Sequence, residues 1–137
     1  MVHALETLHP LLKPDGELID IHPSSRPPRV EIHHAGKIEA VGHLGDREKS
    51  DYDLADDALL TVIERGLFAL ENDEGFVFLY HCATPDILRD WIDHTWTNAV
   101  LPDEVAQTLR ACFGDTGPGK EVVVRRWLRM RKLHVRF

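Results

Sequence analysis

Four residues in this 137-residue chain combine reactive side chains with suggestive placement: Asp20, His22, His81 and Cys82. Asp20 lies in Glu17-Leu18-Ile19-Asp20-Ile21, a short β-prone run stopped by Pro23, and His22 follows at its end, one strand alternation from Asp20. His81 and Cys82 close a second apolar run that begins at Phe76. A neutral imidazole can shuttle a proton or ligate a metal. The candidate pocket is therefore Asp20, His22, His81 and Cys82, with the two histidines as acid–base groups or ligands. The competing reading makes both histidines hydrogen-bonded structural residues. No catalytic role is assigned and no resident metal is expected: His33-His34, His43 and His94 form neither HExxH nor a Cys/His zinc spacing. Asp90, Asp93, His94 and His81 have the chemistry to cluster, and a GxSxG nucleophile motif is missing.

The elements that must position these residues are set by periodicity. Leu5, Leu8, Leu11 and Leu12 recur at helical spacing over residues 3–12, with Pro10 expected to tighten the end and Pro14 and Gly16 to stop it. A strand over 17–21 comes next, then the irregular Pro23-Ser24-Ser25-Arg26-Pro27-Pro28. Residues 29–33 and 37–41 alternate apolar and polar around His34-Ala35-Gly36, which predicts a covering β-hairpin packing Val30, Ile32, Ile38 and Val41. After a charged linker, the apolar stripe of Leu54, Ala58, Leu59, Val62, Ile63, Leu67 and Leu70 predicts a helix over 52–71. Asn72-Asp73-Glu74-Gly75 reads as its end, and 76–82 as a strand apolar on both faces. Helices starting at Thr84-Pro85 and Leu101-Pro102, a loop over 114–119 and a long final strand over 121–134 complete the chain. Trp91, Trp96 and Trp127 sit at packing positions.

The segment Leu11-Leu12-Lys13-Pro14-Asp15-Gly16-Glu17-Leu18-Ile19-Asp20-Ile21 resembles the "LKPGG plus apolar strand" segment of class I S-adenosylmethionine-dependent methyltransferases. In that family it leads into the fifth strand of the sheet. The later elements come in an order similar to the family's own after that strand, so the resemblance covers nearly the whole chain, by pattern alone after its first stretch. It implies an α/β fold, an α+β-like fragment: a small mixed sheet of about three core strands plus the hairpin, flanked by helices, as in the second half of a Rossmann-like methyltransferase. It implies one half-domain over 1–137, with the final strand between 17–21 and 76–82.

The resemblance also implies a missing partner. The family holds its cofactor mainly through a Gly-rich turn after its first strand and an acidic residue after its second, and only seven residues precede Leu8. The chain is thus expected to be non-catalytic alone, without a cofactor in isolation, and to take S-adenosylmethionine only if another chain completes the site. The strand next to residues 17–21 would be absent as well. An unpaired edge invites another chain, so a homodimer joined near Leu18 and Ile21, or another protein partner, is expected. The alternative is an active methyltransferase, truncated, split or completed across the dimer.

Composition narrows the partners. A net charge of −7 argues against general nucleic-acid binding. The charge is uneven, however: residues 120–137 hold seven Lys or Arg against only Glu121. That basic strand is expected to meet acidic helices of its own fold, with a phosphate or acidic partner as the other reading. Two cysteines fit neither a disulfide framework nor a zinc site and suggest a reducing cytoplasm. No apolar run approaches the ~18 residues of a membrane span, so no membrane association is expected.

Overall fold

The computed structural model describes residues 1–114 and 119–137. The loop expected over 114–119 falls mostly on residues 115–118, which lie outside the described residues. Among the described residues the fold is mixed α/β, with four α-helices and a mostly antiparallel sheet. The chain divides into two compact units, one formed by Met1–Ser25, Asp51–Phe76 and Trp127–Phe137, the other by Arg26–Ser50 and Val77–Arg126. Two long strands contribute to both: β5 (Phe68–Cys82) and β7 (Lys120–Val135).

In the first unit, α1 (Val2–Leu8) passes into a 3₁₀ turn, His9–Leu11, at Pro10. The ring cannot donate, and the chain tightens there as expected. Strand β1 (Glu17–Pro23) then pairs antiparallel with residues 128–134 of β7. Helix α2 (Tyr52–Glu64) packs Leu59 and Val62 with Leu5, Phe68, Leu133 and Val135.

The helix expected to reach residue 71 stops at Glu64. Gly66 takes φ +75°, its N–H bonds to the Ile63 carbonyl, and the Leu67 N–H bonds to the Val62 carbonyl. This is a Schellman stop, which only a residue at ease in the left-handed region closes cheaply. Leu67 still packs beside Val62, but as the far side of a cap and not as another helical turn. The chain is then extended from Phe68, so the Asn72–Gly75 stretch lies inside β5 and not in a turn.

In the second unit, β2 (Arg29–His34) and β3 (Lys37–His43) form the expected hairpin, turning through Ala35 (φ +51°) and Gly36 (φ +74°). A bulge falls between Val30 and Glu31. The expectation that this hairpin merely covers a three-stranded core is corrected. Strand β2 pairs antiparallel with residues 120–125 of β7, and the strands form one five-stranded sheet in the order β1–β7–β2–β3, with β5 also on β7. The cause is the length of β7: its sixteen residues offer one stretch to β1 and another to β2.

Two short strands, β4 (Gly45–Asp46) and β6 (Ala99–Val100), pair separately. Helices α3 (Pro85–His94) and α4 (Asp103–Phe113) supply Leu88, Ile92, Val105, Leu109 and Phe113 to a core with Val30, Ile32, Val122 and Val124. Thr84 caps α3 by accepting from the Ile87 N–H at 3.2 Å. Residues 76–82 are not covered on both faces as expected, since Phe76, Val77 and Phe78 are exposed. Trp91 and Trp96 pack with Tyr80 against the core. Among the described residues, no helix is long and apolar enough to cross a membrane.

Candidate functional site

Alternation along β1 turns Leu18, Asp20 and His22 to one face and leaves Glu17, Ile19 and Ile21 exposed on the other. On the inner face the His22 ring lies between two carboxylates: Nδ1 is 2.6 Å from Asp20 Oδ2, and Nε2 is 2.9 Å from Asp56 Oδ1 on α2. A carboxylate only accepts, so both contacts are hydrogen bonds when the ring carries both N–H groups. The network continues through Arg131, which donates to Asp56 at 2.7 Å and to Asp73 at 3.3 Å. Arg129 grips Asp73 with two bonds of 2.8 Å. That grip by Arg129 is the main cause holding the Asp73 carboxyl below its ordinary range, and it raises Arg129 in turn.

This arrangement consumes the chemistry it displays. Both His22 nitrogens are engaged within the fold, so a proton relay or metal ligation would first have to break a strand-to-helix tie. The basic end of the chain finds its acids mostly on strands and not on the helices expected: Asp56 of α2 is joined by Asp73 of β5 here, and Glu17 of β1 and Glu71 of β5 flank Lys132 at 2.7 and 3.1 Å. Glu17, Glu71 and His134 bring ligand atoms within 4.8 Å of one another, but the Lys132 ammonium already occupies the place a cation would take.

The other two predicted residues belong to the second unit. His81 Nδ1 is 3.1 Å from Glu121 Oε1, and both side chains are about half exposed. Cys82 is buried, and burial pushes its thiol up, away from the thiolate that nucleophilic chemistry needs. Together with Ala83, Gly119, Lys120 and Glu121 they line a cleft of about 410 Å³. Asp20 and His22 are thus brought together, and so are His81 and Cys82, but the two pairs fall in different units. His81 lies beside Glu121, near the start of β7. Of the looser group, His94 meets Asp90, one helical turn away, at 3.2 Å.

A cluster not expected from the sequence surrounds Glu31. Its carboxylate has no exposed surface and is met by Arg29 Nε at 2.6 Å, His33 Nε2 at 2.9 Å and Arg125 Nε at 3.0 Å. Burial by itself would raise this carboxyl, yet the bonds from Arg125, His33 and Arg29 outweigh it and hold it at about 2. Arg29 and Arg125 are direct cross-strand partners, and Glu31 is the counter-ion that makes that like-charged pair tolerable. The available signal was the i, i+2, i+4 alternation of Arg29, Glu31 and His33, three polar residues on one face of a strand.

The outer edge of β1 is the remaining feature. The ladder to β7 is flanked by Val135 N–H to Gly16 carbonyl at 3.1 Å and Ser24 N–H to Trp127 carbonyl at 2.9 Å. In antiparallel alternation the even-numbered residues between them bond to β7, and Glu17, Ile19 and Ile21 point their backbone groups outward. Among the described residues no strand pairs with that side. Ile19 and Ile21 are 57% and 53% exposed.

Compared with family models, with curated proteins and with solved structures, the chain matches none.

Proposed function

We propose that this chain is a methyltransferase-like half-domain that is non-catalytic alone and acts by self-association through the outer edge of β1. The observation that carries the reading is that edge: outward backbone groups on Glu17, Ile19 and Ile21, beside two isoleucines more than half exposed. Such an edge is a template for another strand. Support for the methyltransferase part comes from the strand order, because β7 pairs with both β1 and β5, the neighbours that the resemblance implies for the final strand.

The turn after β1 does not suit a cofactor cradle. Residues 24–28 read Ser-Ser-Arg-Pro-Pro behind Pro23, with no glycine to admit a ligand to the backbone and three prolines that lack an N–H to offer it. No step through S-adenosylmethionine is therefore assigned to these residues. The reading is tested by light scattering on the eluting protein at micromolar concentration, paired with calorimetric titration of S-adenosylmethionine and S-adenosylhomocysteine. A dimer that takes up neither molecule is the expected result. A monomer would sink self-association, and micromolar binding of either molecule would replace the non-catalytic reading with an active methyltransferase.

A further inference from the structure

We infer the register in which β1 meets a second copy of itself: antiparallel, about a two-fold axis at Ile21. The inference rests on the self-association proposed above and adds which residues face one another. An isologous antiparallel pair must bring outward-pointing residues opposite outward-pointing residues, so odd-numbered positions oppose odd-numbered positions. For a strand spanning Glu17–Pro23 this leaves three central registers.

A two-fold axis at Asp20 sets Asp20 against Asp20 of the second copy, in the non-hydrogen-bonded position where side chains come closest. Like charges directly opposite are destabilising there. An axis at Ile19 sets Glu17 against Ile21 and Leu18 against Asp20, matching neither charge nor hydrophobicity. With the axis at Ile21, Asp20 faces His22 of the second copy twice over, Ile21 faces Ile21, and Ile19 faces Pro23. Each Ile21 then exchanges both backbone bonds with its copy, and each Ile19 N–H reaches a Pro23 carbonyl, which still accepts although proline donates nothing.

The apolar side of the strand fits this register. Ile21 is the cross-strand partner of Met130, so the axis at Ile21 creates one row, Met130–Ile21–Ile21–Met130, across the two copies. Ile19 lies beside Lys132, and Pro23 beside Leu128, so the adjacent row runs Lys132–Ile19–Pro23–Leu128. The two exposed isoleucines of β1 gain apolar neighbours, and no carboxylate is set opposite another.

Cysteine cross-linking reads the register directly. In a Cys112→Ser background, which removes the exposed native thiol, Ile21→Cys and Ile19→Cys are oxidised with glutathione disulfide separately and as a mixture. The expected result is that Ile21→Cys links to itself as the major product while Ile19→Cys does not. Its two copies would be four residues out of register, roughly 14 Å apart, against the ~7 Å limit for a disulfide. Self-linking of Ile19→Cys alone would move the axis to Ile19, and linking only in the mixture would move it to Asp20; either overturns the register and leaves self-association standing. A wild-type dimer with no linking in any sample would take the interface away from β1, and a wild-type monomer would overturn register and self-association together. As a check that needs no substitution, the Ile21 amide of the wild type should exchange more slowly at high than at low protein concentration; equal rates would also overturn the register.

Discussion

The two compact units handle buried charge in opposite ways. In the second, one carboxylate, Glu31, sits fully buried among Arg29, His33 and Arg125. In the first, Asp20, Asp56 and Asp73 share His22, Arg129 and Arg131 in a chain of bonds, and most of its members keep some contact with water. A dry centre with one anion has no substitute for it. A wetter chain has several, because Arg131 alone bonds to both Asp56 and Asp73. Loss of one member should therefore be severe in the second unit and mild in the first.

The largest expected effect is Glu31→Gln. It leaves two facing arginines without their anion, and breaking a buried pair from one side costs about 3–5 kcal/mol. Urea unfolding should show the midpoint falling with little change in slope. Replacing Arg125 by Met in the Glu31→Gln protein should restore part of the loss, since one uncompensated cation is then gone. If Glu31→Gln costs under about 1 kcal/mol, the contrast between the units is wrong.

Acid should separate the units next. The Glu31 carboxyl is held at about 2 in the fold against an ordinary 4.5. A depressed carboxyl stabilises the folded state above its unfolded value, so this contribution is complete above about 4.5 and fades as pH falls toward and through about 2. The size is about 3 kcal/mol by linkage. Other carboxylates weaken in the same window, Asp73 among them, so the informative quantity is the difference between wild type and Glu31→Gln. That difference should shrink steadily between pH 5 and pH 2.

In the first unit, Asp56→Asn should cost only about 1 kcal/mol, and adding His22→Gln should cost less than the two single losses together, because the pair shares one bond. Thermal unfolding of both singles and the double checks this. Full additivity would mean that the His22–Asp56 bond contributes nothing.

This contrast explains what the sequence disclosed. Asp20 and His22 were legible as a pair because they are two apart on one strand, and alternation alone puts them on one face. Nothing local marks Asp56 as a partner of His22, which lies 34 residues away. The Glu31–Arg125 pairing spans 94 residues, and nothing local announces it. The β1, hairpin and β7 runs were readable from alternation. The start of β5 was hidden because Leu67 and Leu70 continue the apolar stripe of α2, and because Asn72-Asp73-Glu74-Gly75 has the composition of a turn. Gly66 was the residue that should have outweighed that stripe. Its left-handed conformation ends the helix, and the chain is extended from Phe68 onward.

The smallest predicted effect sharpens the comparison most finely. The hairpin that carries Glu31 turns through Ala35 at φ +51° and Gly36 at φ +74°, a type I′ pattern in which both central residues are left-handed. Alanine pays about 1–2 kcal/mol for that conformation, and asparagine tolerates it better. Ala35→Asn should therefore stabilise the protein by about 0.5–1 kcal/mol, seen as a rise in Tm. The turn is exposed and makes no contact with the Glu31 carboxylate, so the gain should add to the Glu31→Gln loss within about 0.5 kcal/mol. If the gain vanishes in the Glu31→Gln protein, the hairpin itself has come off β7 when its anion is lost. The Glu31 centre would then hold β2 in the sheet, beyond neutralising two arginines within it.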